Sequence, residues 1–205
     1  MKKSIISFLI VTVMLVCIVS AQETVSYTVI PGDSMWKIAS KYQVGVSEII
    51  SSNPQITNPN MIYPGQKLTV PTMQGIKSLE SQVVKLVNVE RAKQGLQPLT
   101  ENWQLSRVAR YKSADMATKN YFSHTSPTYG SPFKMMESFG IKYSSAGENI
   151  AYGQKTPEQV MTAWMNSPGH RSNIMSPSYS QIGVGYATNK SGTAYYTQMF
   201  IRPIN

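Results

Sequence analysis

Ser167-Pro168-Gly169-His170-Arg171-Ser172-Asn173-Ile174 divides a stretch of helical period from a stretch of strand period, and that change of period decides the fold. Immediately upstream, Thr156 is placed to cap a helix, with Pro157 in its first turn and Gln159 positioned to close a capping box. Val160, Ala163 and Trp164 then face inward until Ser167-Pro168-Gly169 ends the run. Downstream, Ile182 to Ala187 and Ala194 to Ile201 read as strands, with Asn189 to Gly192 as the hairpin turn between them. Further upstream, Leu79, Val83, Leu86 and Val87 recur at helical spacing until Gly95, and Leu105, Val108, Ala109 and Met116 do so again. Helices first and strands last give an α+β class for residues 78–205.

A second, smaller pattern precedes it over residues 26–71. Tyr27 to Ile30 is extended, Pro31-Gly32-Asp33-Ser34 turns, and Met35, Ile38, Ala39 and Tyr42 share one helical face. Ile49 and Ile50 belong to a short second helix stopped by Asn53-Pro54, and Leu68-Thr69-Val70 closes the module as a strand after Pro64-Gly65. The order is βααβ. Residues 72–77 have no clear period and are expected to be a linker. Lys2, Lys3, an apolar run from Ile5 to Val19 and the small residues at Ser20 and Ala21 make residues 1–21 an expected signal peptide, too short a run for a comfortable membrane span. The only cysteine, Cys17, lies inside it, so the exported chain is expected to be stable without disulfides. Formal charge is +9, about +7 once Lys2 and Lys3 are removed. Its basic residues are scattered with no run, which suits anionic wall polymers and argues against a nucleic-acid groove.

The first module resembles the LysM family over its whole length, through Tyr27, Gly32-Asp33-Ser34, Ile38-Ala39, Asn53-Pro54, Pro64-Gly65-Gln66 and Leu68-Thr69-Val70-Pro71. The resemblance implies binding of N-acetylglucosamine polymers, peptidoglycan or a chitin-like glycan, in a groove made by Gly32, Asp33, Ser34 and Met35 on one side. Asn58, Pro59, Asn60, Met61 and Ile62 would form the other. Gly32-Asp33-Ser34 also imitates an esterase signature, but the module has no histidine to act as base. The plain reading of the same residues is a turn with a helix cap.

From Leu79 onward the chain resembles the CAP superfamily of SCP-like extracellular domains, through Asn88-Val89-Glu90-Arg91, the phrases around His124, Glu148 and His170, and Gly183-Val184-Gly185. That resemblance implies an α-β-α sandwich and a cavity lined by two histidines and two acids that can hold a divalent cation, commonly zinc. His124, Glu148 and His170 match three of those positions, and the two histidines are the only ones in the chain. The fourth position falls near Ser167, with Asn166 beside it, so the carboxylate pair is incomplete. Glu148 is thus a candidate metal ligand, an orienting partner for a histidine, a general base, or only a structural hydrogen-bonding group. Trp36, Trp103 and Trp164 sit in helical patterns and are expected in cores. The expectation is a secreted, wall-associated protein that binds glycan through its first module and presents a His/Glu pocket to a cation or ligand without turnover. The alternatives are a metal-assisted hydrolase of peptidoglycan or wall-associated protein, and a structural protein of a spore envelope.

Overall fold

The computed structural model describes residues 23–204, so the expected signal peptide and its Cys17 lie outside the described residues. In the first module, β1 (Thr24–Thr28) pairs antiparallel with β2 (Lys67–Pro71), and α1 (Met35–Tyr42) and α2 (Val46–Ser51) lie between them in sequence. The Ser34 hydroxyl accepts from the Lys37 amide at 3.2 Å to cap α1, and Gln43 in the left-handed region ends it. Val29, Met35, Ile38, Val44, Ile49, Leu68 and Val70 form the core. So small a core is marginal by area alone, and a buried asparagine reinforces it. Asn53 donates to the carbonyls of Ile49 and Thr69 at 2.7 Å each and accepts from the Thr69 amide at 2.8 Å, tying α2 to β2.

The expected linker is corrected by the structure. α3 spans Gln74–Ala92, so only Thr72 and Met73 separate β2 from it. After α3 come β3 (Thr100–Glu101), α4 (Trp103–Lys119), α5 (Pro132–Ser138), β4 (Tyr143–Tyr152), α6 (Pro157–Met165), α7 (Pro168–Ile174), β5 (Gln181–Thr188) and β6 (Ala194–Pro203). The sheet order is β3-β5-β6-β4, antiparallel except for the β3–β5 pair. Because side chains alternate along a strand, Ile182, Val184, Tyr196 and Phe200 face α3 and α6, where Val83, Val87, Val160 and Trp164 complete one core. Met199 and Ile201 face the other way, against Leu105, Val108 and Ala109 of α4 and Met135 and Met136 of α5. Helices on both faces make the second module an α-β-α sandwich.

Two glycines set the distance between α4 and the sheet. A Cβ added at Gly183 would stand 2.3 Å from the backbone of Leu105, and one at Gly185 would stand 2.0 Å from that of Ala109. Only hydrogen at these positions lets α4 lie directly on β5, where Ser113 Oγ meets the Gly185 carbonyl at 3.1 Å. In α6, Met161 rather than Ala163 joins Val160 and Trp164 inside, and Gln159 reaches back to the Lys155 amide at 2.8 Å instead of that of Thr156.

The modules meet along one face of α4. Trp103, Arg107 and Tyr111 recur every four residues. Trp103 lies 6.1 Å, centroid to centroid, from Trp36, and the Tyr111 hydroxyl donates to Glu48 at 2.7 Å. Burial, with Glu48 alongside, pushes the Tyr111 phenol up to about 12. Trp164 is buried as expected, whereas Trp36 is 52% exposed. The core of the first module is filled by smaller aliphatic side chains, so Trp36 is turned to the surface of the junction.

Candidate functional site

The turn before α1 and the loop before β2 enclose a cleft of about 280 Å³ lined by Asp33, Ser34, Met35, Trp36, Val46, Pro59, Asn60 and Ile62. Six of the nine groove residues expected from sequence therefore share it; Gly32, Asn58 and Met61 flank it. Gly32 adopts φ +86, which opens the turn. Asp33 organises the loop, accepting from the Tyr27 hydroxyl at 2.7 Å and the Ile30 amide at 3.0 Å, and the Ile30 amide foremost holds its carboxyl below the usual range. Asn58 accepts from the Asn60 amide at 3.0 Å, an Asx turn that shapes the opposite wall. Met35 packs mainly into the core, while Met61 is exposed. Trp36 and Val46 also line the cleft, which sequence reasoning does not reveal, because the helical pattern around Trp36 predicts a core position.

In the second module the loop between α4 and α5 brings His124 to β4, where its Nδ1 lies 2.7 Å from Oε1 of Glu148. The Glu148 side chain is 1% exposed and that of His124 54%. Burial raises the Glu148 pKa, and the His124 hydrogen bond and the Lys112 charge pull it back only in part. Oε2 of Glu148 is buried and has no hydrogen-bond partner among the described residues. His170 sits on α7, not in the turn its Pro168-Gly169 neighbours suggest. Burial first, then the nearby His124, lowers its pKa. Its backbone carbonyl accepts from Asn149 at 3.1 Å, and Asn173 bridges Asn149 at 2.9 Å and the Glu148 carbonyl at 3.2 Å. His124 and Glu148 thus meet directly at β4, with His170 on α7 near His124.

Glu148 Oε1 is engaged by His124, and among the described residues no three His, Cys, Asp or Glu side chains are grouped to hold an ion. Of the roles open to Glu148, the geometry gives it that of orienting His124 through Nδ1. Ser167, at the place of the absent acid, precedes α7 and makes no side-chain cap bond.

Two residues that sequence reading passed over hold the His124 loop. Lys112, with no exposed surface, donates to the carbonyls of Ser123 and His124 at 2.7 Å each. One turn along α4, Asp115 accepts from the hydroxyls of Tyr121 and Ser126 at 2.7 Å and from Thr128. Burial acts to raise the Asp115 pKa, but the hydroxyl bonds outweigh it and bring it to about 2. A lysine inside the apolar stripe of Val108, Ala109 and Met116 was the available signal.

The model of the cysteine-rich secretory protein family (CAP) matches residues 84–200, and that of the LysM domain matches residues 27–71. The uncharacterized protein YkwD of Bacillus subtilis (strain 168) is 60% identical over 126 residues, 62% of this chain and 48% of that protein. An endolysin of Bacillus phage PZA is 41% identical over 51 residues, 25% of this chain and 20% of the endolysin. Among solved structures, an extracellular protein containing an SCP domain from Bacillus anthracis str. Ames superposes with a TM-score of 0.59 at 32% identity. That match covers 68% of this chain and 47% of that one. The chain spans about half the length, or less, of the curated relatives it matches first. Among the described residues no helix is long and apolar enough to cross a membrane.

Proposed function

Since the chain belongs to the cysteine-rich secretory protein (CAP) family and carries a LysM domain ahead of it, we propose that it is a secreted, cell-wall-associated protein. In this reading the LysM cleft holds peptidoglycan through its N-acetylglucosamine units, and the CAP domain is presented at the wall surface. The observation that carries the reading is the cleft between the Asp33–Trp36 turn and the Pro59–Ile62 loop. It combines turn backbone, Ser34 and Asn60 for hydroxyl and acetamido groups with Val46, Ile62 and an indole for the apolar sugar faces. The relative named an endolysin suits a module directed at the wall.

Co-sedimentation with insoluble peptidoglycan tests it. The purified chain should pellet with the polymer, and Asn60→Trp, which fills the cleft, should leave it in the supernatant. A wild-type chain that stays in solution sinks the reading.

The His124–Glu148 pair favours a second reading for the CAP domain. A half-exposed imidazole oriented by a buried carboxylate can exchange a proton with a bound ligand. Ligand contact without turnover needs no more than this pair, and hydrolysis would need His124 to act as the acid–base group. A fall in wall-suspension turbidity with the wild type, abolished in His124→Ala, would establish hydrolysis; an unchanged suspension leaves the domain a binding module.

A further inference from the structure

The LysM cleft reaches the boundary of its own module at Trp36. Trp36 lines it beside Ser34, Val46 and Asn60, and about half of the indole remains open. Trp103, the first residue of α4 in the CAP domain, stands 6.1 Å away at an interplanar angle of 41°. Trp36 thus both lines the cleft and packs against Trp103, so the aromatic surface that begins in the cleft runs on to α4. The Trp pair is held in place from the same face of α4. Tyr111 bonds Glu48, and Gly45 lies so close to Arg107 that a Cβ there would stand 2.9 Å from the guanidinium. The Trp36 ring is not required by the LysM core, which Val29, Met35, Ile38 and Ile49 fill.

We propose that Trp36 and Trp103 form a sugar-stacking subsite that receives a further N-acetylhexosamine unit of the glycan held in the LysM cleft, making the CAP domain part of the glycan-binding site. A pyranose ring presents apolar C–H faces and polar edges. Seated on the indoles, it removes apolar surface from water while its hydroxyl and acetamido groups stay solvated. Tryptophan supplies that area with few rotatable bonds to immobilise. The occupant follows from continuity: Trp36 belongs to the cleft lining and packs on Trp103, so a glycan seated in the cleft meets the pair when it extends past Trp36. The inference rests on the glycan reading of the cleft.

Calorimetric titration of the full chain with N-acetylglucosamine trimer and hexamer tests it, using wild type, Trp103→Ala and Trp103→Phe after each is shown to melt cooperatively. The trimer should bind all three alike. The hexamer should bind Trp103→Ala roughly tenfold more weakly than wild type, as for loss of a buried aromatic anchor, and Trp103→Phe should recover most of the difference. Equal hexamer affinity for wild type and Trp103→Ala overturns the subsite and leaves the Trp pair as inter-module packing. Equal weakening of trimer and hexamer overturns it too, by placing the effect inside the LysM cleft. Failure of the wild type to bind either oligomer overturns the glycan reading itself, and the subsite with it.

Discussion

A lysine with no exposed surface must meet its charge and its N–H groups inside the protein. Lys112 does so on the Ser123 and His124 carbonyls, near the carboxylates of Glu148 and Asp115. Burial lowers its pKa, and those two acids oppose the shift. Lys112→Met keeps the stem's volume but removes the donor from two carbonyls beside the His/Glu pair, which should cost about 2 kcal/mol or more. A urea titration should show the lowered midpoint, and hydrogen exchange should show residues 121–128 opening first. An unshifted midpoint with unchanged protection would mean that water replaces the ammonium without penalty. His124, Glu148 and His170 were legible in the sequence because the phrases around them resemble the CAP pattern; each histidine alone reads as structural. Lys112 was not, since a lone lysine reads as solvated unless the apolar stripe around it is taken to run through it. The pairing of Glu148 Oε1 with His124 Nδ1 was also hidden, because it depends on a loop of irregular backbone lying against a strand 24 residues away.

Periodicity located the long elements and passed over short ones whose burial comes from neighbours. α5 and α7 have seven residues each, too few for a helical period to register. β4, which runs from Tyr143 to Tyr152, carries no strand period clear enough to predict it. It is an edge strand, and side chains of the following segments cover its outward carbonyls in alternation. Tyr179 reaches that of Ala146, Asn173 that of Glu148 and Trp164 that of Ile150, each at 3.2 Å. This blunts the edge against further strand pairing and fixes the strand that carries Glu148. Gly183-Val184-Gly185, by contrast, was visible in sequence, and the reason is packing. Gly185→Ala would drive a methyl into the α4 backbone, and α4 cannot retreat without lifting its whole face from β5 and β6. A loss of at least about 3 kcal/mol is expected. Gly169→Ala, with nothing within 4 Å of the added Cβ, should be neutral or stabilising by up to about 1 kcal/mol. Thermal melts of the two variants separate the cases, and similar midpoints would show that the α4–β5 approach is not the constraint.

At the scale of the molecule, α4 serves both modules. One face packs on β5 and β6 while another carries Trp103, Arg107 and Tyr111 to the LysM domain. The order of the modules was legible from their separate patterns, but their contact was not, because a stripe of Trp, Arg and Tyr at helical spacing also describes an ordinary solvated or core-facing helix. The Tyr111–Glu48 hydrogen bond gives that contact a pH signature. Burial, foremost, raises the Tyr111 phenol from 10.0 to about 12 in the folded chain. A pKa raised by folding means that the folded state holds the proton more tightly. The stabilisation is therefore fully present below about pH 10 and is lost as pH rises through about 12. Tyr111→Phe removes the titrating group and the bond to Glu48, while Glu48 keeps its other oxygen on the Gly45 amide at 2.8 Å. Urea midpoints measured on wild type and Tyr111→Phe across this range should differ by a constant amount up to about pH 10 and converge by about pH 12. Comparing the pair isolates Tyr111 from Tyr196, whose phenol burial also raises to about 12. A difference that persists undiminished at pH 12 would show that Tyr111 joins the modules by packing alone, with its proton playing no part.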